Sequence, residues 1–98
     1  MSKFGELIDI EIPVLLEFYT DWNEQSVTMH AVLKDVAAAL GDKAKVIKID
    51  AEKNQELAGA LRIKTLPTLI IYKDGEMKWR QSGELDANTL ISMIQKYI

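Results

Sequence analysis

The run Val14-Leu15-Leu16-Glu17-Phe18-Tyr19-Thr20-Asp21-Trp22-Asn23-Glu24-Gln25-Ser26 decides the fold. Its first six residues are apolar but for Glu17, the pattern of a short, largely buried strand. The next residues suit a helix start. Asp21 and Glu24 have the spacing of a capping box with Asp in place of Ser or Thr, and Asn23 is itself a strong capping residue. Beyond them Met29, Val32, Leu33, Val36, Ala37 and Leu40 recur at helical spacing, and Gly41 supplies a C-terminal stop. A strand therefore feeds directly into a long helix.

The same alternation continues downstream. Val46-Ile47-Lys48-Ile49-Asp50 reads as a second strand, and Leu57, Ala58 and Leu61 mark a shorter helix. The stretch from Ile63 to Tyr72 is broken by Pro67 and resumes as an apolar strand, followed by a hairpin through Asp74-Gly75, a pair favoured where a turn needs positive φ. Ala87, Leu90, Ile91, Ile94 and Ile98 form one face of a final helix that Asp86 is placed to cap. Short strands alternating with helices predict an α/β domain, a sheet covered by helices. The chain shows no repeat, linker or low-complexity segment.

At 98 residues the chain is predicted to be one domain, 1–98, and 48% apolar residues place it among soluble globular proteins rather than disordered ones. It has no apolar run long enough to span a bilayer, and Met1-Ser2-Lys3-Phe4-Gly5-Glu6 lacks the apolar core of a secretory leader, which predicts a cytoplasmic address. With a net charge of -3 and scattered Lys and Arg, neither nucleic acid nor membrane is expected as a partner. One histidine and no cysteine make a dedicated transition-metal site unexpected, and no glycine-rich phosphate loop implies a nucleotide cofactor. No cofactor is expected.

In order along the chain, the strand Val14–Tyr19 running into Thr20-Asp21-Trp22, the strand Val46–Asp50, the loop Thr65-Leu66-Pro67-Thr68-Leu69, the hairpin Lys73-Asp74-Gly75-Glu76 and Gly83 resemble the thioredoxin family. The resemblance covers about Glu6 to the C-terminus. It implies a thioredoxin-like fold with a central mixed sheet flanked by helices. Only about a dozen residues precede Val14, so the family's extra N-terminal strand is predicted to be missing. Lys3 to Ile8 then forms one short helix, and a four-stranded sheet is left with Val46 to Asp50 on an edge. Lys45 and Lys48 are placed to guard that edge. A monomer is expected, with edge-strand pairing as the route by which a dimer would form.

The resemblance also implies chemistry that this sequence lacks. Thiol-disulfide exchange needs a thiolate, which the family places at a helix N-terminus where backbone N–H groups and the helix dipole lower its pKa. Asn23 stands at the nucleophile's position and Ser26 at the resolving one. An asparagine amide offers no nucleophilic lone pair, and a serine hydroxyl cannot form a mixed disulfide. Ala31 stands where the family has a helix-kinking proline, which predicts a straighter helix. Glu17 matches a buried acid that serves the cysteine pair in relatives. Buried without a partner its pKa would be raised, and Lys48, matching a family lysine, is expected to pair with it or else solvent to cover it.

His30 lies one helical turn after Ser26, but no orienting acid or oxyanion motif accompanies the two, so a hydrolase is not expected. An anion at the helix N-terminus is opposed by Glu24. What the resemblance carries over best is a peptide groove. Its residues would be Trp22, Thr65, Leu66, Pro67 and Gly83, with Ala51 at the side. The backbone before a cis-Pro67 would pair with an extended peptide, as an added strand does. The sequence thus predicts a redox-inactive thioredoxin-like protein, not an enzyme, that binds a protein or peptide client. One alternative is a thiol-disulfide oxidoreductase whose cysteines were replaced by mutation. The other is an interaction subunit pairing through its open edge strand.

Overall fold

Leu15 and its neighbours on either side face opposite ways, and that alternation organises the molecule. The computed structural model describes residues 3–98; Met1 and Ser2, part of the N-terminal stretch read above for a leader, lie outside them. The elements are α1 (Lys3–Ile8), β1 (Val14–Tyr19), α2 (Glu24–Leu40), β2 (Lys45–Asp50), α3 (Gln55–Ala60), β3 (Thr68–Lys73), β4 (Glu76–Ser82) and α4 (Ala87–Gln95), with a 3₁₀ turn over Gly41–Lys43.

The four strands form one mixed sheet in the order β2-β1-β3-β4. β1 pairs with β2 in parallel and with β3 antiparallel, and β3 pairs antiparallel with β4. Successive side chains of a strand leave opposite faces. Leu15, Leu69 and Ile71 therefore meet Met29, Leu33, Val36 and Leu40 of α2 and Leu90 and Ile94 of α4. Val14, Leu16, Phe18, Ile70 and Tyr72 meet Ile8 of α1 and Ala58 of α3 on the other side. Every residue of β1 up to Phe18 is buried, and Phe18 alone contributes about 1.5–3 kcal/mol by leaving water. The short helix at Lys3–Ile8 and the edge position of β2 agree with the sequence reading, and among the described residues no strand precedes β1.

Local devices hold the connections. The hairpin joining β3 to β4 has two residues, Asp74 at φ 53° and Gly75 at φ 79°, as a mirror-image turn requires. Its tip is tied to the N-terminal segment, since Gly75 N–H donates to the Ile8 carbonyl at 3.0 Å and Asp74 N–H to that of Ile10 at 2.9 Å. Phe4 meets Tyr72 edge-on with ring centroids 5.6 Å apart. Asp86 caps α4, accepting from Thr89 N–H at 2.8 Å.

Two sequence expectations are corrected. The spacing of Asp21 and Glu24 suggested a capping box, but the N-cap of α2 is Asn23. The final helix stops at Gln95, so Ile98 falls off its apolar face and is exposed.

Candidate functional site

Asn23, which the sequence resemblance sets at the nucleophile's position, is a helix cap. Its backbone is extended (φ -92°, ψ 112°), and its side-chain oxygen accepts from the Ser26 backbone N–H at 2.8 Å. The Asn23 carbonyl accepts the first intrahelical bond, from Val27 N–H at 3.1 Å, while its side chain satisfies one of the otherwise orphaned N–H groups of the first turn, that of Ser26. Ser26 is fully buried beneath that turn. The side chains at this helix start are an amide and a hydroxyl.

β1 ends and β3 begins at the same end of the sheet, because Phe18 stands opposite Thr68. This brings the segment after β1 beside the loop before β3. The bond between Leu66 and Pro67 is cis, and Gly83, at φ 96°, donates its N–H to the Pro67 carbonyl at 2.8 Å. Thr68 Oγ1 donates to the Thr65 carbonyl at 2.6 Å and lies 3.0 Å from Ser82 Oγ, which fixes the loop against β4. Ala51 N–H donates to the Tyr19 carbonyl at 2.8 Å. Trp22 is 70% exposed, and its indole N–H donates to Glu52, next to Ala51. On its other side Trp22 shares a concavity with Glu84, next to Gly83. The six residues expected to line the groove thus lie in linked segments at one end of the sheet: Trp22, Ala51, Thr65, Leu66, Pro67 and Gly83.

Glu17 departs from its sequence reading. Its parity with Leu15 turns the side chain toward α2, where it is fully buried, so the solvated alternative fails. No ion pair with Lys48 forms within 4.0 Å among the described residues, although the two stand opposite in the β1–β2 register. The exposed Lys48 acts on Glu17 only through its field. The nearest basic atom is instead His30 Nε2, 3.5 Å from Glu17 Oε1, and neither atom makes a hydrogen bond. Burial pushes the Glu17 carboxyl up to about 8, with Lys48 opposing more weakly. Burial also lowers the His30 pKa, aided by Lys48 and opposed by Asp21. Near neutral pH both groups are therefore uncharged, and the contact is a neutral one. Thr20 Oγ1 and Ser26 Oγ are buried without hydrogen-bond partners as well.

The sequence reading paired His30 with Ser26 and missed Glu17. The available signal was strand parity, which points Glu17 at the helix carrying His30, where His30 also stacks edge-on against Tyr19 at 4.9 Å. Among the described residues no group of three or more metal-ligating side chains occurs, and no helix is long and apolar enough to cross a membrane.

Comparison with known proteins places this geometry. The family model described as Thioredoxin matches residues 1–96. The chain is 43% identical over 95 residues to the chloroplastic thioredoxin Y of Oryza sativa subsp. japonica, an alignment covering 96% of this chain and 56% of the rice protein. It is 33% identical over 85 residues to the thioredoxin of Bacillus subtilis strain 168, covering 87% of this chain and 82% of that one. The chain thus spans about half the length of the chloroplastic relatives it matches. Among solved structures, a mutant thioredoxin from Halobacterium salinarum NRC-1 superposes with a TM-score of 0.87 at 30% identity, covering 99% of this chain and 84% of that one. Chloroplastic thioredoxin z superposes with a TM-score of 0.85 at 26% identity, covering 99% of this chain and 90% of that one. With its strand order, its proline loop and a match over nearly its whole length, this cysteine-free chain belongs to the thioredoxin family.

Proposed function

We propose that this chain is a redox-inactive thioredoxin-like binding module that holds an extended segment of a protein client against the loop Thr65-Leu66-Pro67, beside Trp22. Thiol-disulfide exchange begins with a thiolate, and the chain contains no cysteine to supply one. Binding has no such requirement. A strand-like peptide is recognised by backbone N–H and C=O groups and by pockets for alternate side chains, neither of which depends on a thiol.

The observation that carries the reading is the state of the groove around the degenerate motif. Trp22 remains 70% exposed although its indole N–H is anchored to Glu52, and Gly83 N–H holds the Pro67 carbonyl. Tryptophan is among the residue types enriched at binding hot spots, and this one is held at the mouth of the groove.

Capture on immobilised protein tests the proposal, with Trp22→Ala and Thr65→Glu as folded controls and an insulin-reduction assay alongside. A defined partner retained by wild type, lost from both variants, with insulin left oxidised, is the expected result. Retention indifferent to both substitutions would refute the groove.

A further inference from the structure

The concavity beside Trp22 is lined, among charged residues, only by acidic ones. Its volume is about 480 Å³, and its walls include the carboxylates of Asp21, Glu24 and Glu84 together with the exposed side chains of Trp22 and Val27; no lysine or arginine lines it. A fourth carboxylate, Glu52, sits at the indole edge as the acceptor of its N–H.

We infer that this concavity selects a client segment carrying a lysine or arginine, arginine above all, whose side chain enters it while the flanking backbone lies on the proline loop. The inference rests on the peptide-binding reading and adds the class of partner. Three features decide the sign of charge. The N-terminus of α2 would favour an anion, but the Asn23 side chain already occupies the N–H of Ser26, and Glu24 opposes a second negative charge at the first turn. Three acidic residues line one open pocket with no basic residue among them, and a cationic side chain complements that charge. The anchored indole leaves its ring face open, and a guanidinium stacks on such a face while keeping its N–H donors free for carboxylates. Val27 gives the alkyl stem of the same side chain an apolar wall.

Random decapeptide phage selection tests this directly, on wild type and on a variant carrying Asp21→Asn, Glu24→Gln and Glu84→Gln. Wild type is expected to enrich Lys or Arg at one fixed position of the selected peptides, and the triple variant to lose that enrichment. A second measurement does not depend on the variant's folding. A fluorescein-labelled copy of the selected peptide with its basic residue replaced by glutamine should bind wild type about tenfold more weakly by anisotropy, a loss that shrinks as salt is raised. Peptides selected without basic enrichment, or enrichment that survives in the triple variant, would overturn this inference and leave the groove reading standing. Selection of no peptide at all would overturn both.

Discussion

The Asn23 side chain accepts a hydrogen bond from the Ser26 backbone N–H at 2.8 Å, so Asn23 caps the helix in which Ser26 is buried. This corner is a structural joint. Asn23→Ala should cost about 1 kcal/mol, the ordinary loss for a good N-cap. Urea denaturation will show it as a lower midpoint with an unchanged slope.

The joint also predicts that the chemistry can be restored. A cysteine at position 23 would stand at the positive end of α2, and one at position 26 would lie fully buried beneath it. Asn23→Cys with Ser26→Cys should gain reduction of insulin by dithiothreitol above the uncatalysed rate, because a thiolate at a helix N-terminus is stabilised and a second thiol resolves the mixed disulfide. Ser26→Cys alone should gain nothing. A silent double variant that is folded would mean that the corner has lost more than its sulfur atoms.

Glu17 and His30 give the stability a definite pH dependence. The Glu17 carboxyl titrates at about 8 when folded against an ordinary 4.5. Between those values the unfolded chain has released the proton and the native state still holds it, so stability falls as pH rises through this window, by an amount on the order of a few kcal/mol. The His30 pKa is lowered from its ordinary 6.5, so its own contribution is lost as pH falls below that value. Glu17→Gln should remove the fall in stability between about pH 4.5 and 8 and raise the melting temperature at pH 8 to 9, corresponding to on the order of 1–3 kcal/mol. His30→Gln should flatten only the acid limb. Melting temperatures measured from pH 5 to pH 9 separate the two.

Arg80 of β4 spans to the end of α3, donating from its guanidinium to the Leu61 carbonyl and, at 2.8 Å, to that of Arg62, which sits at φ 56°. Arg80→Ala should cost about 1 kcal/mol, the exposed setting reducing what two charge-assisted bonds would otherwise contribute. Hydrogen exchange is the more selective readout, with faster exchange at Arg62 and Ile63 and little change in β1.

Much of this was legible in the sequence for a physical reason. β1 is apolar but for Glu17 because both faces of this central strand are covered, the Asp74-Gly75 pair meets the positive φ that a two-residue hairpin demands, and Asp86 lies at the start of an apolar stripe. The relationships that were not legible join separate segments. Glu17 could be given a neighbour on the adjacent strand, Lys48, but its real neighbour, His30, comes from a helix laid across the sheet. The acidic wall around Trp22 draws on Asp21, Glu24 and Glu84, and the last lies sixty residues beyond the others. Asp21 and Asn23 compete for the same capping role, and spacing alone does not say which backbone becomes extended. Ile98 continues the helical period on paper, whereas the chain has already left the helix at Lys96.

Amide chemical shifts during titration of the isotope-labelled chain with a peptide selected on it test the central claim most directly. The groove account predicts shifts concentrated at the Trp22 indole N–H and the amides of Ala51, Thr65, Leu66 and Gly83, saturating with one peptide per chain. Shifts confined to Lys45–Asp50, the open edge of the sheet, or none at saturating peptide, would contradict it.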